Sequence, residues 1–487
     1  MASHLATTIP SRLLMWQRVR AYAVPPSMIE NATARRAAGD WAGACAAARV
    51  DVALDLRAVR DRHGTDLVTR LRADLRRLAP DLLRWHMPRI APDGRLRPGL
   101  TVCLARYRTS GAVPLELVVR TPPASADAGQ RMSLALWEGS AGGAAGHHPH
   151  PRPDRRFRLD LHRHLWDAER SGELARRCGA GRAPAVAPYV PPRAAGGVEA
   201  GADWALGTWA AEAELLLRAE GRPRGAFTVR LDARSRAVLE LVAPDDSHVP
   251  AFRPLREALP PQEVAALPVL PEAAARVLPD LELLRAGLVA AERLHPLVGA
   301  ALAGRFPAPA AGPVTEPGDP HRVECRGEVH RIALRDGVLT AIDHDPAQLR
   351  REELLVALGG PALPCLRAID AAHRNPEALP AVRERLRHGD VSGALAVVEG
   401  LLGPGAVLRD GPLRQELESA TARRVDDGLY RAGLVAVHPA AATAGGVDAS
   451  GGQRARAGHR PRLDRHLPHV LRSKRSSRAR PRTGLAR

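Results

Sequence analysis

The sequence has few aromatic residues and almost no lysine. Phenylalanine, tryptophan and tyrosine together make up 3% of the 487 residues. Proteins that bind single-stranded nucleic acid stack the bases on aromatic side chains, and this sequence cannot supply an extended platform of that kind. Lys474 is the lone lysine among 71 basic residues, so arginine carries nearly all of the positive charge. Asparagine is equally scarce (Asn31 and Asn375), a skew that G+C-rich codons produce without selection for phosphate contacts.

The five cysteines are scattered and form no C-x-x-C pair. This spacing argues against a zinc ribbon, a thioredoxin-like motif and a disulfide scaffold, and it favours a reducing compartment. No apolar run approaches the ~18 residues that a membrane-spanning helix needs. The amino terminus has no continuous apolar stretch before its first arginines. We therefore expect a cytoplasmic protein without a membrane partner.

The positive charge is concentrated at the carboxyl terminus. The formal net charge is +18, and residues 438–487 contain 12 basic and 2 acidic residues, which leaves 59 basic and 51 acidic residues, or +8, for residues 1–437. Apolar periodicity also ends after Val437, so we expect a disordered, basic tail. Two hypotheses explain this tail. The first is that it is a basic interaction segment. The second is that the original reading frame is lost here, because G+C-rich DNA translated out of frame encodes a similar sequence rich in Arg, Pro, Ala and Gly.

Hydrophobic periodicity predicts an α+β fold. Helical spacing dominates from about residue 29 to 88, where Thr65 is a candidate N-cap and Pro80 begins a short helix. Between 100 and 161 the period changes to two, which predicts a small, mainly antiparallel sheet. Its four predicted strands are LTVCLARY, PLELVVRT, RMSLALWE and RFRLDL. A helix is expected from about 164 to 178.

A second mixed block follows a Pro/Gly/Ala-rich linker. Strands are expected at GAFTVRL and SRAVLELV, a leucine-rich helical stretch from 271 to 304, and a hairpin turn at Asp336-Gly337. The whole chain then divides into a flexible N-terminus (1–28), a helical plus antiparallel-sheet domain (29–178), a linker (179–202), a mixed α/β block (203–306), a linker (307–320), a hairpin plus helix (321–375), a C-terminal helical segment (376–437) and the tail (438–487).

The residues best suited to chemistry are the histidines of the segment HHPHPRPDRRFRLDLHRHLWD, which runs from 147 to 167. If the strand RFRLDL continues through His162 and His164, both imidazoles lie on one face and can bind a metal ion, with His150 as a further candidate ligand. A polar loop at a strand end explains the same residues without a metal. Serine-hydrolase, phosphate-binding and zinc-protease motifs are absent, so no catalytic residue and no cofactor is predicted. An enzyme or metal-binding protein that uses the His147–His164 cluster stays an alternative.

The C-terminal segment contains a predicted helical hairpin. Its second helix, residues 391–402, has one apolar stripe and begins after Asp390, a good N-cap. The stripe consists of Ala394, Val397, Val398, Leu401 and Leu402. EALPAVRERLR predicts the first helix, and His388-Gly389 predicts a tight turn between the two. A hairpin of this size cannot bury its apolar face alone, so it requires stacked neighbours.

This hairpin resembles an ankyrin repeat. Gly389-Asp390 is similar to the turn before the inner helix, ALAVVEGLL to that helix, Gly405-Ala406 to the following loop and Asp410-Gly411 to the start of the next hairpin. ELESATARRVDDGLYRAGLVAVHP is similar to a second, degenerate copy. The T-P-L-H signature of the family is missing, and GPLRQEL stands in its place. The resemblance covers about residues 376–438.

A related pattern occurs near the other end of the chain, in AGDWAGACAAARV (38–50). Gly39, Asp40, Gly43, Ala44 and Ala46 have the same spacing as Gly389, Asp390, Gly393, Ala394 and Ala396. A shared capped-helix pattern explains these five matches without homology.

The resemblance implies a non-catalytic protein that binds another protein on the concave side of stacked helices. Asp390, Arg409 and Asp410 are then the candidate partner-binding residues, at the edge of that surface. The partner is an unknown protein. The alternative from composition is a nucleic-acid-binding protein that uses its arginine-rich surface and tail.

Overall fold

The computed structural model describes residues 10–108, 115–124, 129–139, 152–180, 203–222, 224–232, 235–242, 249–256, 258–303, 322–325, 328–335, 338–341, 344–360, 363–367, 378–402 and 412–431. Helices and several small sheets alternate along these residues, which confirms the α+β class. Within them, no helix is both long and apolar enough to cross a membrane. The tail, His147, His148, His150, Arg409 and Asp410 lie outside the described residues.

The chain begins with a helical layer, and its local signals explain where the helices begin. The elements are α1 (Ser11–Tyr22), α2 (Pro26–Ala37), α3 (Trp41–Ala47), β1 (Val50–Ala53), α4 (Leu56–His63), α5 (Thr65–Arg77) and α6 (Pro80–His86). Helix α6 begins at Pro80, as predicted, because proline fits the first helical position. Thr65 is the first residue of α5 and not its cap, since Gly64 precedes it with a φ of 85°.

The first sheet contains three of the four predicted strands, and β1 takes the place of the fourth. Its further strands are β4 (Thr101–Tyr107), β5 (Leu115–Arg120) and β6 (Met132–Trp137), after a short ribbon of β2 (Arg89–Ile90) and β3 (Arg95–Leu96). The sheet order is β1-β6-β5-β4, with β1 parallel to β6 and the other pairs antiparallel.

The prediction of a strand at RFRLDL is wrong. Residue Arg158 makes a single bridge to Cys103, and the neighbouring backbone N–H groups are used within turns: that of Phe157 binds the carbonyl of Asp154, and that of Leu161 binds the carbonyl of Arg158. The helix expected from 164 to 178 is likewise broken, into 3-10 turns at Arg163–Leu165 and Ala168–Glu173 and the short α7 (Leu174–Arg177).

A second core forms between α8 (Trp209–Ala219) and the three-stranded sheet of β7 (Gly225–Arg230), β8 (Arg236–Val242) and β9 (Ala251–Pro254). The leucine-rich stretch after it is no continuous helix, because prolines restart it repeatedly. After α9 (Pro261–Ala266), it comprises α10 (Glu272–Ala275), α11 (Pro279–Arg285) and α12 (Pro296–Leu302). The N-terminal helices and the first sheet share one hydrophobic core, the first core. Leu281 of α11 and Val298 of α12 pack into it, so the predicted block 203–306 divides between two cores.

The last two units are small. One has β10 (Arg322–Cys325), β11 (Glu328–Arg335), β12 (Val338–Ala341) and α13 (Pro346–Ala357). β11 and β12 pair antiparallel, with Arg335 opposite Val338, while the predicted turn at Asp336-Gly337 lies outside the described residues. Asp345 caps α13 by accepting from the N–H of Ala347. The other unit has α14 (Ala378–Arg387), α15 (Val391–Leu402) and α16 (Pro412–Arg431) around a core of its own. The stretch predicted as a second ankyrin-like copy falls largely in α16, a single helix of 20 residues.

Buried arginines hold the helical layer together. Arg84 of α6 is fully buried and donates from Nε to the carbonyl of Ala23 over 3.1 Å and from Nη1 to that of Ala48 over 3.5 Å. These carbonyls end α1 and α3, and a cation at a helix carboxyl terminus complements the helix dipole. Arg84 therefore places the ends of α1, α3 and α6 together, where the C-terminal hairpin docks.

Candidate functional site: a cleft between two helical hairpins

Two helical hairpins of the chain have the same turn conformation. We call α2 with α3 the N-terminal hairpin, and α14 with α15 the C-terminal hairpin. In each, a glycine with positive φ follows the first helix: Gly39 at 76° and Gly389 at 80°. An aspartate then caps the second helix by accepting from a glycine N–H three residues on, over 2.8 Å for Asp40 and 3.2 Å for Asp390. The sequence pattern shared by residues 38–50 and 388–400 thus corresponds to a shared local structure.

An arginine five residues before the cap completes each turn. Arg35 binds Asp40 over 2.8 Å, and Arg385 binds Asp390 over 2.7 Å. A methyl group on Gly43 or on Gly393 would overlap this ion pair in the same way in both hairpins. The shared motif is therefore R-x-x-x-G-D-x-x-G-A-x-A. Its arginine was missed in the sequence, because without the structure nothing connects it to the cap.

The two turns differ in their surroundings. At the N-terminal turn, a methyl group added to Gly39 would meet nothing within 4 Å. At the C-terminal turn, the same methyl group on Gly389 would overlap the carbonyl oxygen of Gly129, so this turn is packed directly on the loop before β6. Asp390 is correspondingly buried, whereas Asp40 is exposed.

Arg49, just after α3, connects the hairpins. Its Nη1 donates to the carbonyl oxygen of His388 over 2.9 Å, and its Nη2 lies 3.4 Å from Oδ1 of Asp390. His388 directly follows α14, so Arg49 caps a helix that lies far away in the sequence. Asp390 thus accepts from its own helix, from Arg385 and from Arg49.

A cleft of about 460 Å³ lies between the hairpins. Its apolar lining includes Pro25, Met28, Ala46 and Ala47, and its polar lining includes Ser27, Asn31, Arg35, Arg49, Asp390 and Ser392. Both hairpins therefore contribute to the walls. The cleft is open to solvent, and its walls mix polar and apolar surface.

The charges in the cleft are paired. Arg35 is bound to Asp40, and Arg49 to Asp390. Burial lowers the pKa of the Arg49 guanidinium, and the Asp390 carboxylate counteracts this effect. The cleft therefore presents hydrogen-bonding groups and apolar surface rather than a strongly positive field.

The predicted metal ligands lie elsewhere, in the first core. His162 and His164 are both buried, with ring centroids 5.8 Å apart. Nδ1 of His162 lies 3.0 Å from the carbonyl of Arg158, and its Nε2 lies 3.0 Å from Glu212. Burial lowers the pKa of His164 well below its usual value. Among the described residues, no group of three or more His, Cys, Asp or Glu side chains could hold a metal ion.

Glu212 makes this histidine pair part of a structural junction. Its carboxylate binds Arg177 through two hydrogen bonds of 2.6 and 2.7 Å, in addition to the contact with His162. The junction joins the first core to α8 of the second.

Of the predicted partner-binding residues, Asp390 is the one that the structure describes. It lies at the edge of the cleft, but its carboxylate faces the C-terminal hairpin and Arg49. Sequence reasoning did not identify the cleft residues Met28, Asn31 and Arg49, which no local motif marks. Comparison of the chain with protein-family models, curated proteins and solved structures finds no match in any of the three.

Proposed function

We propose that the chain is a non-catalytic protein-interaction protein that binds a peptide segment of a partner protein in the cleft between its two hairpins. The observation that carries this proposal is the cleft itself, walled by two hairpins of the same conformation. Grooves between packed helices recur as peptide-binding sites, because they offer apolar contact and a few fixed polar groups.

The electrostatics of the cleft support a protein partner over a nucleic acid. Phosphate binding requires arginines that are free to neutralise the backbone. Both arginines that line the cleft already have carboxylate partners. A peptide with apolar and neutral polar side chains fits these walls better.

Exposed apolar side chains on α13 also support an interaction role. Leu354, Leu355 and Leu358 are 65%, 52% and 85% exposed. Leu358 directly follows the last residue of α13. Large exposed apolar side chains are found at protein-binding surfaces.

Selection from a displayed random-peptide library tests the proposal. The full-length chain would be compared with Ala46→Trp and Ser392→Trp, which fill the cleft from opposite hairpins at exposed positions. Ala42→Trp is the matched control, because Ala42 is exposed on the same helix as Ala46 but does not line the cleft.

We expect peptides that bind the unmodified chain and the control but bind both cleft variants at least tenfold more weakly. Peptides that bind all four proteins equally would contradict the cleft assignment. If the chain selects no peptide and instead retains nucleic acid that moderate salt releases, the alternative nucleic-acid function is favoured.

A further inference from the structure

His388 is buried where the C-terminal hairpin docks on the rest of the chain. Its exposed fraction is 0%, although it ends a surface helix. The ring lies close to Gly94: a methyl group on that glycine would stand 3.7 Å from Cε1 of His388. The ring therefore reaches its buried position when the hairpin is docked, and release of the hairpin would expose it.

The charged groups around this ring are mostly arginines. Arg84 of α6, Arg89 of β2 and Arg95 of β3 face it from the N-terminal part of the chain, and Arg387 faces it from its own helix. Arg49 approaches the backbone carbonyl of the same residue.

The acidic group nearest to the ring is Glu384, and it lies outside hydrogen-bonding distance, with Oε2 3.8 Å from Nε2 of His388. Neither ring nitrogen has a hydrogen-bond partner within the described residues. The pocket thus favours an uncharged imidazole.

The surrounding arginines disfavour a protonated ring, because they already place several positive charges around it. Arg84 is fully buried, and the charges that act on it come from Arg49, Arg89 and Arg131. A protonated His388 would add one more positive charge to this buried group, and the facing carboxylate, Glu384, is already bound to Arg387 over 2.7 Å.

We propose that docking of the C-terminal hairpin is a proton-sensitive contact, in which the docked state excludes a proton from His388 and mild acid releases the hairpin. The exposed turn of the N-terminal hairpin lacks this feature, because Ala38 occupies the position equivalent to His388. The inference goes beyond the proposed function, since release requires no bound partner.

The direction follows from proton linkage. Burial, followed by the facing arginines, lowers the pKa of His388 from 6.5 to about 2. A released hairpin regains the ordinary value, so docking is fully favourable above pH 6.5 and weakens as the pH falls below it. Between pH 7.5 and 5.5, the docking equilibrium constant should fall about tenfold.

Acid release would also open the cleft. Asp390 and Ser392 belong to the C-terminal hairpin and form one wall. A partner held between the hairpins would then bind more weakly in the same pH range.

Native-state hydrogen exchange of the full-length chain without any partner tests this inference. Protection factors, corrected for the intrinsic pH dependence of exchange, would be measured for α15 at pH 7.5, 6.5 and 5.5. The N-terminal hairpin is the internal control. The variants are His388→Ala, which copies Ala38, and His388→Gln, which keeps a neutral polar side chain.

We expect protection of α15 to fall about tenfold from pH 7.5 to 5.5 in the unmodified chain, with little change in α3. Both variants should lose this pH dependence. An equal fall in the variants, or no fall in the unmodified chain, would overturn the proposal. If the variants dock poorly at pH 7.5, the test rests on the unmodified chain alone. Protection must then fall with pH in α15 but not in α3. Because no partner is present, failure here is distinct from failure to bind peptides.

Discussion

Arg49 donates a hydrogen bond over 2.9 Å to the carbonyl oxygen of His388, a residue 339 positions away in the chain. The donor follows the second helix of one hairpin, and the acceptor ends the first helix of the other. This contact makes two hairpins with a common turn motif into the walls of one cleft. The same docking contact buries His388 among arginines. The cleft and its proposed response to acid therefore both depend on the docking of the C-terminal hairpin.

Alanine at the two turn glycines should have unequal effects. Gly39→Ala introduces a side chain at positive φ in open space and should destabilise its turn by about 1 kcal/mol. Gly389→Ala carries the same strain and also forces a methyl group into the carbonyl of Gly129, which should weaken docking by a further ~1–3 kcal/mol. Hydrogen exchange of α15 reports the release. Equal protection of α15 in the two variants would mean that Gly389 is not packed on Gly129.

Peptide binding in the cleft should depend weakly on salt. Because Arg35 and Arg49 are already paired with carboxylates, a bound peptide gains little from long-range attraction. Titration calorimetry with a selected peptide at 50 mM and 200 mM salt should give dissociation constants within about threefold of each other. A loss of affinity of two or more orders of magnitude over this range would instead indicate polyanion binding.

The junction at Glu212 should make the second core sensitive to strong acid. Burial raises the pKa of this carboxyl group, but hydrogen bonds from His162 and Arg177 outweigh burial and lower the pKa from 4.5 to about 2. Since the folded pKa is depressed, its stabilisation is present above pH 4.5 and is lost as the pH falls towards 2, by roughly 3 kcal/mol in total.

Denaturant unfolding between pH 5 and 2, followed by tryptophan fluorescence, measures this effect. Glu212→Gln should be less stable than the unmodified chain at pH 5 and should show a flatter pH dependence. The matched control is Glu214→Gln on the same helix, where the ion pair with Arg218 is more exposed. Parallel pH profiles for the unmodified chain and Glu212→Gln would contradict the assigned role.

Local structure was predictable where one residue dictates it. Pro80, Asp345 and the turn at Gly389-Asp390 all act through backbone geometry within a few residues, so the sequence alone locates these boundaries. RFRLDL has the alternation of a strand, but the N–H groups of Phe157 and Leu161 are used in turns, and the segment makes a single bridge to β4. Its period therefore predicted the wrong element.

The cleft could not be predicted in this way. No local pattern marks Arg84 as a core residue, yet it is fully buried and binds the carbonyls that end two other helices. The contact between Arg49 and His388 depends on how distant segments pack, and neither residue has a local pattern that shows it. Sequence reasoning found the two turns that share a motif and missed the arginines that complete and join them.

The most direct test of the account is a double-mutant cycle between Arg49 and Asp390. The free energy of local opening of α15 would be measured by hydrogen exchange in Arg49→Ala, Asp390→Ala and the double variant, with Arg49→Ala and Asp40→Ala as the control cycle. The account predicts a coupling of about 1 kcal/mol for the first pair and none for the control pair. Additive effects in the first cycle would contradict the docking of the two hairpins through Arg49.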